Sequence, residues 1–222
     1  MPGTYRQGQF RLLPDAAELL LVRHGESEAY REGTDFPLVG GHGDPPLAAE
    51  GRAQAERVCA RLAGADIGAI YVTTLCRTAQ TAEPLARRLG VEPLVEPELR
   101  EIYLGEWEGG LYRKHVADGH PLARRVFAEE RWEVIPCAEG SAAFADRVRT
   151  ALDRLAAAHP GQRVAVFTHG GVIGQAVALA SGSSPFAFIG ADNASITRLV
   201  ITEGRWAVRG FNDTAHLDAE NP

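Results

Sequence analysis

A chain of 222 residues with 45% apolar and 23% charged side chains can bury well over half of its unfolded surface as one domain, without disulfides or metals as staples. Its formal charge of −6 gives no general attraction to nucleic acid or anionic lipid, no apolar run approaches the ~20 residues of a membrane span, and Met1 to Asp15 lacks the apolar core of a signal peptide. The cysteines, Cys59, Cys76 and Cys137, are odd in number and scattered, which fits a reducing, cytoplasmic setting and neither a disulfide framework nor a Cys-x-x-Cys metal site.

Residues 1–17 read as an N-terminal extension and 18–222 as one domain. The apolar run from Glu18 to Val22 predicts a strand buried on both faces, and it stops on Arg23-His24-Gly25. A long glycine- and proline-rich loop follows, from Tyr30 to Pro46, and loops of that length are uncommon unless functional. Gly51, Ala55, Val58 and Leu62 then fall at helical spacing, predicting a helix over 47–62. A strand from Ile67 to Val72 comes next, and Thr73-Thr74 offers the N-cap of a second helix closed by Gly90.

Alternating strands and helices imply parallel strands with right-handed crossovers. The stretch from Gly109 to Gly140 breaks this rhythm and reads as a small helical insertion, about residues 110–140, over the sheet edge. A helix through Phe144, Val148, Leu152 and Leu155 ends near His159-Pro160-Gly161. It leads to a second apolar run, Val164 to Thr168, that stops on His169-Gly170-Gly171 and a further helix. Ser195 to Ile201 and Arg205 to Phe211 read as a closing hairpin.

Two histidines delivered past the carboxyl ends of buried strands are expected to share one pocket, because ligands of open α/β sheets bind beyond that edge. Arg23 and Arg77 reach the same edge, and forked guanidiniums there make an anion site. Gly170 and Gly171 allow close backbone approach, and the helix they open points free N–H groups at an anion. A neutral imidazole in such a site can attack phosphorus, fixed cations can stabilise the charge that develops, and a carboxylic acid can protonate the leaving oxygen. Glu101 is the candidate acid, with Glu106 and Glu108 as rivals.

Four ordered blocks carry this chemistry: Arg23-His24-Gly25-Glu26-Ser27, Arg77 to Ala82, Leu99-Arg100-Glu101 with Gly105 and Trp107-Glu108-Gly109, and Thr168-His169-Gly170-Gly171. Together they resemble the histidine phosphatase superfamily in its phosphoglycerate-mutase-like branch. The resemblance implies an α/β fold with a mostly parallel six-stranded sheet, helices on both faces and the insertion as a cap. It implies that His24 is the nucleophile, that Arg23, Arg77 and His169 hold the phosphoryl group, and that Glu101 is the proton donor and acceptor. Gly170 and, by the family's loop contact, Gly41 are implied to touch a small phosphorylated substrate, with no metal and no cofactor in the chemical step.

Mutases of the family carry Asn where this chain has Tyr30 and Tyr where it has Leu104, with a longer, more basic cap, so a phosphomonoesterase is the expectation. The other readings are a phosphoglycerate-type phosphomutase, a metal-dependent hydrolase using His24, His42, His169 and an acid, and a catalytically silent phosphate-ligand module. The sequence leaves oligomeric state open. His42 is expected in a solvent-exposed turn and His115, His120, His159 and His216 on the surface. Trp107 is expected beneath the Glu101 loop, and Trp132 in the cap core or facing substrate.

Overall fold

Leu19 and Leu21 turn to one face of the central sheet, Leu20 and Val22 to the other, and all four are almost fully buried. That is why the first strand carries no polar alternation: helices cover both of its faces. The computed structural model describes residues 4–218. In chain order the strands are β1 (Ala17–Arg23), β2 (Leu38–Val39), β3 (His42–Gly43), β4 (Ile67–Val72), β5 (Leu94–Val95), β6 (Arg163–Thr168), β7 (Ile196–Thr202) and β8 (Arg205–Asp213). The helices are α1 (Ala49–Leu62), α2 (Cys76–Leu89), α3 (Leu111–Ala117), α4 (Pro121–Glu129), α5 (Ser141–Ala158) and α6 (Gly170–Ser181).

The main sheet has the order β5-β4-β6-β1-β7-β8, with β5, β4, β6 and β1 mutually parallel and β7 antiparallel to both neighbours. This is the expected α/β fold with a mostly parallel six-stranded sheet. Val58, Leu62, Ala82 and Leu85 of α1 and α2 pack with Leu20, Val22, Ala165 and Phe167 on one face. Phe144, Val148 and Leu152 of α5 and Ile173 and Val177 of α6 pack with Leu19, Leu21, Val164 and Val166 on the other.

Two local expectations change. The 30–46 loop contains a two-stranded hairpin, β2 and β3, whose turn is Gly40 and Gly41 with φ of 56° and 86°, a left-handed pair suited to glycine. The second helix starts at Cys76 after Leu75, not at a Thr73-Thr74 cap, because the Thr73 hydroxyl is turned inward toward His169. Residues 110–140 contain α3 and α4, and Tyr112, Arg113 and Trp132 of this stretch stand in the same cavity lining as His24. Among the described residues no helix is long and apolar enough to cross a membrane.

One charge is buried inside the sheet away from that cavity. Glu18, fully buried, accepts from Arg163 Nε at 2.7 Å and Arg198 Nε at 3.0 Å on the neighbouring strands. Burial by itself pushes this carboxyl up, but the hydrogen bonds and charges of Arg198 and Arg163 outweigh it and hold it below its ordinary value of 4.5. A carboxyl held low in the folded state adds stability above its unfolded value, and that contribution disappears as pH falls through the folded one. Glu18→Gln is therefore expected to lose about 1–3 kcal/mol at pH 7, less than a fully enclosed pair because both arginines are partly exposed. Urea unfolding at pH 7 and at successively lower pH checks it: the gap from the wild type narrows as pH falls below 4.5 if the account is right and stays constant if it is wrong.

Candidate active site

Strands β1 and β6 are adjacent, parallel and in register, Val22 opposite Phe167 and Arg23 opposite Thr168. The next residue of each, His24 and His169, therefore leaves the sheet side by side. Their ring centroids are 5.3 Å apart at 61°. The order of strands reverses here, since the crossover from β1 skips to β4 and β6 returns between them, and such a switch point opens a crevice at the carboxyl edge.

The His24 ring is oriented by its Nδ1, 2.7 Å from the carbonyl oxygen of Gly25. A carbonyl only accepts, so Nδ1 carries the proton and a neutral His24 has its lone pair on Nε2. Burial, followed by the charges of Arg77 and Arg23, holds His24 well below the ordinary imidazole value of 6.5, which keeps the ring neutral. The turn stays tight because α1 presses on it: a Cβ at Gly51 would overlap the carbonyl oxygen of Glu26.

His169 is fully buried, and its Nε2 lies 3.0 Å from the Thr73 hydroxyl at the end of β4. The Thr78 hydroxyl donates to the Leu75 carbonyl at 2.8 Å. The Thr73 hydroxyl also lies 3.1 Å from that of Thr78, and it is assigned as the donor to Nε2. On this network the neutral His169 carries its proton on Nδ1. Burial and the charges of Arg77, His24 and Arg23 keep this ring, too, well below 6.5. His169 Nδ1 and Arg23 Nε are both buried with no hydrogen-bond partner, an expensive condition for donors unless a ligand satisfies them.

Arg23 is further held through Nη1 by the carbonyl of Ala191. Arg77 is buried, donates to Gly43 O at 2.9 Å and stands 3.5 Å from Asp44 Oδ1. Burial lowers both guanidiniums from 12.5, against the opposing charge of Glu101, and guanidinium keeps its proton throughout. Glu101 faces them. Its Oε2 accepts from Gly171 N–H at 3.1 Å and its Oε1 from Ile102 N–H at 3.0 Å. A Cβ at Gly171 would overlap Glu101 Oε1, and one at Gly170 would sit 3.3 Å from Arg23 Nε. The glycine pair leaves the carboxyl and the guanidinium room to lie close against the start of α6.

Arg23, His24, Arg77, Glu101, Gly170 and Gly171 line one cavity of about 310 Å³, whereas His169, fully buried against His24, lies outside its lining. Gly41, implied as a substrate contact, is exposed and lies outside the lining; the hairpin turn points it away, and His42 and Gly43 line the cavity instead. The expectation of an exposed His42 is corrected with it. His42 is buried, donates from Nδ1 to Gly40 O at 3.2 Å and packs on the Tyr103 ring at 5.3 Å. His115 and His120 are half-buried against Trp107, at 4.6 and 5.5 Å between rings, and His159 and His216 are also half-buried.

The rival acids have other duties. Glu106 is exposed, and Glu108 spends its two oxygens on the N–H groups of Gly43 and Leu104, at 2.7 and 2.9 Å, stapling the hairpin to the 104–108 segment. Glu101 forms no ion pair among the described residues, which removes the structural salt bridge with Arg77 or Arg100 as its explanation. Trp107 and Trp132 are both buried, and Trp132 serves cap core and cavity wall together. Cys76, beside Arg77, is inert packing: burial and Asp44 push its thiol up to about 11, far from the thiolate that reacts.

Sequence reasoning missed three contributors. Thr73 sits at a strand end, a position that could have signalled it. Arg113 reaches in from α3, donating to Glu28 O and Ser27 Oγ at 2.8 Å each, and Tyr112 joins the lining; nothing in the local sequence of the cap marks either. Among the described residues no group of three or more His, Cys, Asp or Glu side chains is placed to hold a metal ion.

A profile of the histidine phosphatase superfamily (branch 1) matches residues 19–214. Phosphoglycerate mutase-like protein 4 of Arabidopsis thaliana is 34% identical over 209 residues, 92% of this chain and 88% of that protein. The metal-independent phosphoserine phosphatase of the same plant is 30% identical, over 92% of this chain and 85% of its own length. The solved structure of a mycobacterial glucosyl-3-phosphoglycerate phosphatase superposes with a TM-score of 0.74 at 29% identity, covering 90% of this chain and all of that one, 100%. The chain belongs to the histidine phosphatase superfamily, branch 1.

Proposed function

We propose that the protein is a metal-independent phosphoric monoester hydrolase that acts on a small phosphorylated substrate through a phosphohistidine at His24, without a cofactor. The observation that carries this reading is the pair of buried, unpartnered donors, His169 Nδ1 and Arg23 Nε, beside a neutral ring whose Nε2 is free. A phosphoryl group satisfies those donors and meets that lone pair at once.

His24 Nε2 attacks phosphorus as the ester P–O bond breaks, and the leaving alkoxide takes a proton from Glu101 in its acid form. The equatorial oxygens carry the developing charge, which Arg23, Arg77, His169 Nδ1 and the N-terminal amides of α6 stabilise. Glu101, now a carboxylate, takes a proton from water as that water attacks phosphorus. The N–P bond breaks, phosphate leaves, and both residues return to their starting state. A divalent cation would be repelled by the same guanidiniums. Cys59, Cys76 and Cys137 are all free thiols, which supports a reducing, cytoplasmic setting.

Rapid acid-free quenching during turnover is expected to trap phosphate on His24 as an adduct that is stable in base and lost in acid, with turnover indifferent to EDTA. An acid-stable adduct, or activity lost to EDTA and restored by metal, would overturn the reading. The phosphomutase alternative has one observation in its favour, the naming of relatives such as phosphoglycerate mutase-like protein 4. It requires transfer to a phosphoglycerate, so release of inorganic phosphate in the absence of any acceptor decides between them.

A further inference from the structure

Glu101 sits on a segment with no hydrogen-bond ladder of its own. From Arg100 to Leu104 the chain is neither helix nor strand, so the backbone groups it buries must find partners elsewhere. The four successive carbonyls of residues 98 to 101 all accept from side chains. Thr168, at the end of β6, donates to the Leu99 carbonyl at 2.8 Å. One residue serves the other three. Arg147 of α5 donates from Nη1 to the carbonyls of Glu98 and Arg100, the latter at 3.0 Å, and from Nη2 to that of Glu101 itself at 3.0 Å.

The guanidinium is fixed from behind. Glu139 accepts from Arg147 Nε at 2.7 Å and from Nη2 at 2.9 Å, and Arg147 Cζ lies 4.7 Å from the centroid of the buried Phe144 ring. That makes five hydrogen bonds, as many as a guanidinium has N–H groups. Glu139 also grips the far side of the acid: its N–H donates to Tyr103 O at 2.9 Å, and its Oε2 accepts from Tyr103 N–H at 3.3 Å. The two charged side chains are only 13% and 18% exposed, and Arg147 lies outside the cavity lining, so it acts on a substrate only through the segment it holds.

Resting on the phosphomonoesterase reading, we infer that Arg147, backed by Glu139, is the positioning residue of the catalytic acid. The carbonyls of Arg100 and Glu101 belong to the two peptide planes that flank the Glu101 Cα, and holding both planes fixes the direction of its Cα–Cβ bond. Proton transfer needs hydrogen-bond reach to the leaving oxygen, and a misplacement of about 1 Å can cost about 10²-fold. A residue that served the fold alone would affect every substrate alike. One that places the acid affects those esters whose leaving group needs the proton.

Arg147→Lys keeps a charge beside Glu139, but an ammonium has three donors and no planar fork, so it cannot serve Glu139 and three carbonyls together. For 2-phenylethyl phosphate, an alkyl ester, kcat is expected to fall about ten- to a hundredfold with KM nearly unchanged, because the phosphoryl corner is untouched. For 4-nitrophenyl phosphate, whose oxide departs unprotonated, the expected loss is under about threefold. In the Glu101→Gln background the same substitution is expected to leave the alkyl-to-aryl ratio where it was, since the proton to be placed is gone. An equal loss on both esters, no loss on the alkyl ester, or a further shift of the ratio in that background overturns the inference and leaves the phosphomonoesterase intact. Release from neither ester by the wild type, or a Glu101→Gln enzyme with no leaving-group dependence of its own, overturns the reading beneath it. Glu139→Gln, which gives up one of the two acceptors behind the guanidinium, decides the matter should Arg147→Lys not fold. The same split is expected at about three- to tenfold, and its absence in a folded enzyme, judged by the unfolding midpoint, sinks the inference.

Discussion

His24→Ala is expected to lower kcat/KM for phosphate release by about four to six orders of magnitude, because it removes the atom that bonds to phosphorus and not one of several stabilising contacts. The arginines, His169 and the α6 amides remain in this variant, so phosphate esters still bind while no adduct forms. The ring is buried in contact with His169, and truncation leaves a void; His24→Gln, closer in volume, is expected to be equally inactive with a near-normal unfolding midpoint. A folded variant of either kind keeping more than about a tenth of the wild-type rate is incompatible with covalent catalysis at this position.

The second large effect is expected at Glu101. Glu101→Gln keeps the volume and one acceptor oxygen, so one of the two contacts to Gly171 and Ile102 N–H survives, the other is replaced by an NH2 group facing a donor, and the transferable proton is lost. The loss is expected to be about 10²–10⁴-fold for an alkyl ester, whose alkoxide cannot depart unprotonated, and much smaller for an aryl ester such as 4-nitrophenyl phosphate. That difference between leaving groups is the diagnostic. An equal loss on both esters assigns Glu101 to positioning of the α6 terminus, which no proton-transfer role can explain, and a loss under about threefold on the alkyl ester removes the residue from the chemistry.

The pH behaviour of the site follows from the same burial. His24 and His169 are both held well below 6.5, first by desolvation and then by the surrounding guanidiniums. Protonating either imidazole brings a further cation into a corner that already contains Arg23 and Arg77, so the nucleophile stays available well into the acid range. The same repulsion favours a dianionic or monoanionic phosphoryl group as the species that fills the corner.

Strand content and the pairing of the two histidines were legible in the chain because both depend on short-range pattern. Uninterrupted apolar runs that stop on His-Gly mark strands buried on two faces, and registration of β1 with β6 then follows from which residues must face α1 and α2 and which α5 and α6. Arg23, Arg77, Glu101 and the Gly170-Gly171 pair were legible as chemistry, since few residue types can hold and transfer a phosphoryl group. Tertiary structure alone decided the rest. His42 enters the cavity, and Gly41 does not, because a two-residue left-handed turn inverts the chain direction at Gly40, a matter of dihedral angles that composition does not specify. Thr73 and Arg113 come to the site through a strand end and a cap helix distant in sequence, and Glu108 is withdrawn from acid duty by N–H groups of Gly43 and Leu104. Local periodicity determines which faces are buried; where a buried donor finds its partner is set by the packing of segments far apart in the chain, and no local pattern records it.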